Sequence, residues 1–292
     1  MQLNLPGMSY DVWGYVDTSS GKEYAIVGNN GLTIIDVSDP ANPVQVANLN
    51  TVPDFDIKVW SNYAYCVTGG PGTGYIVDIA DPANPVIVNT FPSSHNIFID
   101  DNGYMYAEFP GLIIYDLNPN PANPVMIWTD STTGGHDASV IDTILYDFHG
   151  TDGTNIYNIS NPASPVLLGS ITDSAIQYHH HGWPSKDGNY LYICDELAVA
   201  PNPDITIWDI SNPASAVKVG SFADNSAIVH NLFVIGDSAY VSYYTAGLRV
   251  FDITNPILPT IAYEYDTSPL SGESFGGAFG VYPFALNNKI FV

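Results

Sequence analysis

Histidine changes charge nearest neutral pH of all side chains and is the commonest metal ligand, so the seven histidines of this 292-residue chain are where chemistry is sought first. Four segments holding them look alike: HNIF at His95, HDAS at His136, HHGW at His180 and HNLF at His230. Each opens a short alternating apolar run, which makes His95, His136, His180, His181 and His230 candidate metal ligands at one repeated position. Asp11 in YDVW and Asp56 in FDIK stand beside that position in two further segments. A second group follows those runs: Glu108, Asp147, His149, Asp195, Glu196, Tyr243 and Tyr244. Imidazoles and carboxylates gathered at one place suit a divalent ion, with nitrogen donors favouring zinc, copper, iron or nickel over calcium. The same groups suit general acid–base chemistry. The pattern also fits a plain structural role, in which a polar residue opening each strand bonds backbone groups of the next repeat; Asn96, Asp137 and Asn231 fit that role. In the run His179-His180-His181 side chains alternate faces, so at most two point one way; His181 is the expected one, with His180 next.

The elements that position these residues are set by a repeat. GLTIIDVSDPANPVQV (Gly31 to Val46) recurs as GYIVDIADPANPVIV, GLIIYDLNPNPANPVMI, NIYNISNPASPVLL, ITIWDISNPASAVKV and GLRVFDITNPILPTIA. The alternating run reads as a half-buried strand, the Asp or Asn caps a turn with its own side chain, and Pro fixes φ in that turn. The anchors are Asp36, Asp78, Asp116, Asn158, Asp209 and Asp252, with the longest interval before Asp209, where Cys194 to Asp204 is expected to form an inserted rim loop. Each repeat of about 40 residues then holds four strands, and such units need neighbours to cover their apolar faces. The expected fold is all-β, a β-propeller in one domain over residues 1–292, with repeats starting near 11, 56, 95, 136, 180, 230 and 279. That favours a seven-bladed ring, with six full repeats and a partial seventh from Phe279 closed by an outer strand from the leading MQLNLP; a six-bladed ring with an extra hairpin is the alternative. In a propeller the first strands line the central channel, which would bring the histidines and the second group to one face.

Composition narrows the function classes. A formal net charge of −24, with only six Lys and Arg, repels phosphate backbones and anionic membranes, so no nucleic-acid partner is expected. No apolar run reaches the roughly 18 residues of a membrane span, and MQLNLPGMSY lacks the pattern of an export signal. Cys66 and Cys194 lie in different repeats and are expected as buried free thiols. DDNG (Asp100 to Gly103) and KDGN (Lys186 to Asn189) look like pieces of calcium loops but fall at hairpin turns. No phosphate loop, dinucleotide fingerprint or nucleophile elbow is present. The tryptophans are expected to pack within repeats, with Trp183, just after the histidine run, the one placed to join a binding face.

The repeat core GLTIIDVSDPANPV resembles the LVIVD repeat. The order YDVWGYVDTSSGKEYAIVG, FDIKVW, SHNIFID, HDASV, HHHGW, CDEL and VHNLFV is similar to that of choice-of-anchor-B proteins over nearly the whole chain. That resemblance implies a bacterial secreted or cell-surface propeller. The leading expectation is a non-catalytic module binding a protein or polysaccharide partner on the histidine-rich face, with a divalent metal ion, transition metal or calcium, at the channel mouth. The alternative is a metal-dependent hydrolase or lyase using His136, His181 and His230. A third is a filament or surface-layer subunit with apolar outer strands.

Overall fold

The computed structural model describes residues 3, 5–130, 134–198, 203–224 and 226–292. Every sheet among them is antiparallel and four-stranded, and there are six. The first holds β1 (Ser9–Asp17), β2 (Lys22–Asn29), β3 (Leu32–Asp36) and β4 (Val44–Leu49); the second β5 (Asp56–Trp60), β6 (Tyr63–Val67), β7 (Thr73–Asp78) and β8 (Val86–Pro92). The third holds β9 (Asn96–Ile99), β10 (Tyr104–Glu108), β11 (Ile113–Asp116) and β12 (Val125–Thr129). The fourth holds β13 (Asp137–Ile141), β14 (Ile144–Phe148), β15 (Thr154–Asn158) and β16 (Val166–Ile171). The fifth holds β17 (His179–Pro184), β18 (Tyr190–Asp195), β19 (Ile205–Asp209) and β20 (Val217–Phe222). The sixth holds β21 (Leu232–Ile235), β22 (Ser238–Tyr243), β23 (Gly247–Asp252) and β24 (Thr260–Tyr265). The chain divides into two units, one of residues 1–131 with 284–291, the other of 132–283 with Val292. Each unit carries three of the sheets.

The repeated Asp or Asn ends the third strand of every sheet, as the sequence pattern requires. Its side chain accepts the backbone N–H two residues on: Ser38 to Asp36 at 3.0 Å, Ala80 to Asp78 at 2.9 Å, Asn118 to Asp116 at 2.9 Å. Asn158, Asp209 and Asp252 do the same for Ser160, Ser211 and Thr254. The chain thus turns at one chemically defined point in each repeat. Asp100 and Asp187 likewise accept the backbone N–H of Asn102 and Asn189, so DDNG and KDGN are hairpin turns.

Second strands bury all but one or two of their residues and first strands after β1 bury most of theirs, while fourth strands leave theirs largely in water; all six residues of β24 are exposed. In the first unit β1 meets β5 and β5 meets β9; in the second β13 meets β17 and β17 meets β21. The space between consecutive sheets is filled with aliphatic and aromatic side chains. Ile26, Ile34 and Ile57 fill it in the first unit, and Leu232, Val241 and Phe251 in the second. Cys66 and Cys194 are buried there as free thiols. Trp208 is buried, and Trp183 packs on Phe233 with ring centroids 5.1 Å apart.

The expected seventh, partial blade is not formed: six four-stranded sheets account for the strands of the described residues. The segment from Phe279 carries an apolar pattern but cannot extend a ladder. Pro283 lacks an N–H, and Asn287 and Asn288 sit in the left-handed region at φ 57° and 58°. Residues 284–291 instead belong to the first unit. There the Leu286 N–H donates to Glu23 Oε1 at 2.6 Å, and the Lys289 ammonium pairs with Glu23 and donates to the Val37 carbonyl at 2.9 Å. Nor do the described residues of the N-terminal segment supply a strand to the last sheet. Met1, Gln2 and Asn4 lie outside the described residues; Pro6 and Met8 accept from Asn30 and Asn29 of the first sheet through their carbonyls.

Candidate metal centre

Two neighbouring side chains stand at the start of each first strand, and at β1, β5 and β17 they have different tasks. One column is aromatic: Tyr10, Phe55 and His95 in the first unit, His136, His180 and His230 in the second. The next residue forms a second column in each unit, with Asp11 and Asp56 in the first and His181 and Asn231 in the second. Members of that second column reach across to the following sheet. Asp11 Oδ2 accepts the Ile57 N–H at 3.3 Å, Asp56 Oδ2 accepts the Ile97 N–H at 2.8 Å, and His181 Nδ1 accepts the Leu232 N–H at 3.1 Å. An acceptor here satisfies a buried backbone donor at the seam between sheets. His181, expected to face the same way as the other histidines, is therefore a latch, with its Nε2 3.3 Å from Ser139 Oγ. The reason is a bulge: the register of β17 on β18 shifts between His179 and His181, which interrupts simple alternation and leaves His180 in the aromatic column. His179 is also a seam residue. Its backbone exchanges hydrogen bonds with Gly150, its Nδ1 lies 2.8 Å from Thr154 Oγ1, and burial depresses its pKa to about 3, so the ring is neutral.

The aromatic column of the second unit converges. The His136 and His180 ring centroids are 4.3 Å apart, and those of His180 and His230 4.2 Å. Glu196, one residue past β18, comes up beside them. Its Oε2 lies 3.8 Å from His180 Nε2 and its Oε1 3.9 Å from His230 Nε2. His180, Glu196 and His230 each place one donor atom within 4.8 Å of the others. Ligands about 2.1 Å from a tetrahedral ion stand about 3.4 Å apart, so modest side-chain rotation brings the trio onto one centre. The surroundings fit that use. His230 Nδ1 lies 2.6 Å from the Phe279 carbonyl, which only accepts; Nδ1 thus carries the proton and Nε2 keeps its lone pair for a metal. The Tyr244 hydroxyl donates to Glu196 Oε1 at 2.7 Å and holds the carboxyl in place. The Glu196 backbone N–H donates to the Tyr178 carbonyl at 3.0 Å. Burial lifts Glu196 to about 7, against the lowering effect of the Tyr244 hydrogen bond. A divalent cation would favour its charged form.

The other candidates lie elsewhere. In the first unit, Asp11 and Asp56 share the buried ammonium of Lys58, at 2.7 and 2.5 Å, over the Trp13 ring. Burial raises Asp11, against the lowering effect of the Lys58 ammonium and with the raising effect of the neighbouring Asp56 carboxylate; burial works to lower Lys58, but the two carboxylates outweigh it and hold the ammonium above its ordinary value. His95 holds the Gly69 carbonyl at 2.8 Å, and Glu108 is buried at the end of β10. In the second unit His149 Nε2 pairs with Asp147 Oδ2 at 2.7 Å. Asp195 accepts the N–H groups of Gln177 and Tyr178, fixing the approach to β17. Tyr243 turns into the core and donates to Asp204 Oδ1 at 3.1 Å, and Trp183 lies against His181 and Phe233. Of the rim loop expected over Cys194 to Asp204, residues 199–202 lie outside the described residues.

Two participants escape sequence reading. The Phe279 carbonyl is a backbone group and leaves no residue signature. Lys58 does leave one: a cation inside the apolar run DIKVW, beside Asp56, in a chain with six Lys and Arg.

The model of the LVIVD repeat matches residues 19–51, 55–92, 153–173, 186–224 and 228–267, more than half of the chain. No curated protein sequence matches. Among solved structures, a functionally unknown protein from Desulfotomaculum acetoxidans superposes with a TM-score of 0.64 at 14% identity, over 90% of this chain and 92% of that one. The periplasmic gluconolactonase of Pseudomonas aeruginosa gives a TM-score of 0.65 at 11% identity, covering 95% and 87%. The RRP9 WD40 repeats give 0.59 at 10%, covering 95% and 85%. At these identities the likeness concerns the propeller fold alone.

Proposed function

Because the chain belongs to the LVIVD-repeat family of β-propeller proteins, we propose that it is a secreted or cell-surface binding module that holds a divalent transition-metal ion on His180, Glu196 and His230. The observation that carries the metal reading is the convergence of these three donors from the fifth and sixth sheets, with the His230 tautomer set by the Phe279 carbonyl. Two nitrogen donors and one carboxylate favour zinc, iron, nickel or copper over calcium. The secreted or surface location is supported by the resemblance to choice-of-anchor-B proteins and by the lysine-poor, acidic composition. Among the described residues no helix is long and apolar enough to cross a membrane. A net charge of −24 favours a protein or polysaccharide partner over nucleic acid.

Metal content of the untagged chain by mass spectrometry, beside His180→Ala, Glu196→Ala and His230→Ala, tests the reading. One transition-metal ion per wild-type chain, lost in each variant, is the expected result. A metal-free wild type that takes up none on dialysis against zinc, nickel or iron(II) refutes it.

One observation favours the second reading, a metal-dependent hydrolase or lyase: three protein donors are the ligand count of catalytic zinc. Turnover of ester, lactone or glycan substrates by the loaded chain, absent in the His230→Ala variant, would establish that reading. The gluconolactonase likeness at 11% identity is one of fold and does not choose among substrates.

A further inference from the structure

Resting on the metal reading above, we infer that the ion on His180, Glu196 and His230 keeps an exchangeable coordination position and carries there one small monoanion, seated against His136. Structural zinc sites close with four protein ligands, whereas sites with three keep a position for another donor. Among the described residues the group that can converge on one ion numbers three. The nearest further nitrogen ligand on the column is His136, whose ring packs against His180 at 4.3 Å but which does not belong to the converging set.

Charge then says what the fourth donor is. Two neutral imidazoles and one carboxylate leave a divalent ion with a net charge of about +1. The side chains of His180, His230 and Glu196 are 5%, 4% and 11% exposed, so this charge stands where water screens it weakly. A monoanionic oxygen or nitrogen donor neutralises it; a second cationic or neutral donor does not. Size follows from the walls. The Phe279 ring lies 4.1 Å and the Tyr244 ring 4.9 Å from His230, and Tyr178 packs edge-on to His136 at 4.9 Å. Aromatic rings flanking the site in this way favour a small anion over a bulky one. His136, buried and fixed by Tyr178, is placed to hydrogen-bond that ligand, which makes it a positioning residue and not a ligand of the ion.

The full chain loaded with cobalt(II) supplies a visible spectrum that reports coordination directly, with azide as the probe anion. The expected result is a saturable one-to-one shift of the cobalt bands on azide addition, with X-ray absorption finding two imidazoles per cobalt. His136→Ala should keep one cobalt per chain and bind azide about ten-fold more weakly, the scale of one lost charge-assisted hydrogen bond, with His136→Gln between the two. An azide-insensitive spectrum, a third imidazole, or loss of cobalt from His136→Ala while its thermal melt is unchanged overturns the inference and leaves the metal reading standing. A wild-type chain that binds no cobalt overturns both. The wild-type titration needs no variant to fold.

Discussion

Lys58 shows what one side chain does in this chain's interior. Its ammonium is shared by Asp11 and Asp56, and those carboxylates also hold the N–H groups of Ile57 and Ile97. Removing the cation leaves two buried carboxylates uncompensated. Lys58→Met is expected to cost about 3–5 kcal/mol in urea unfolding, whereas replacing Asp11, Asp56 and Lys58 together with Asn, Asn and Met should recover most of it. Asp204 is the second case: burial lifts it to about 7, although the Tyr243 hydroxyl donates to it. Its folded pKa lies above the unfolded value near 4, so between those pH values the native state binds the extra proton. The stability this contributes is fully present below about pH 4 and is lost as pH rises through about 7. Asp204→Asn should therefore match the wild type most closely at low pH and gain on it between pH 5 and 8, measured as unfolding midpoints at fixed temperature.

At the scale of the strand and turn, one device is reused six times. The residue ending each third strand turns the chain by accepting an N–H two positions on, and Asn158 does this as well as its aspartate counterparts. The acceptor oxygen matters and the charge does not. Asp252→Ala is thus expected to lower the denaturation midpoint and Asp252→Asn to leave it nearly unchanged, read from chemical denaturation. The histidine column has the same logic at the other end of the repeat. At β1, β5 and β17 the opening residue pair splits into a latch and a ring, and the bulge in β17 decides which of two adjacent histidines takes which task.

For the molecule as a whole, charge is the dominant fact. A net charge of −24 over 292 residues sets the folded chain against itself, and the six Lys and Arg can offset little of it. Several of those cations are committed to buried or partly buried pairs: Lys58 with Asp11 and Asp56, Arg249 with Asp224, Lys289 with Glu23. The melting temperature should rise with sodium chloride from about 0.01 M to about 0.5 M and then level off, because the screening length shrinks from about 30 Å to a few ångströms over that range. A melting temperature independent of salt would show that the acidic groups are too dispersed to repel one another.

Much of this protein is written in local pattern. Alternating apolar runs dictate strands, the Asp or Asn with its Pro dictates a turn, and their recurrence dictates a stack of four-stranded units, because each piece is governed by residues within a few positions of one another. The same recurrence marks His95, His136, His180 and His230 as equivalent. What local pattern cannot carry is convergence. Whether His180 or His181 joins His230 depended on a bulge set by pairing with β18; that Glu196, 34 positions before His230, arrives beside it depended on how two sheets pack. The number of sheets depended on the tertiary structure too. Phe279 to Val292 reads as the start of a strand pair, yet Pro283 and the left-handed Asn287 and Asn288 interrupt it, and Glu23 holds Leu286 and Lys289 within the first unit. Hydrogen-bond partners hundreds of residues apart decide such a segment, and they exist only once the sheets have been built.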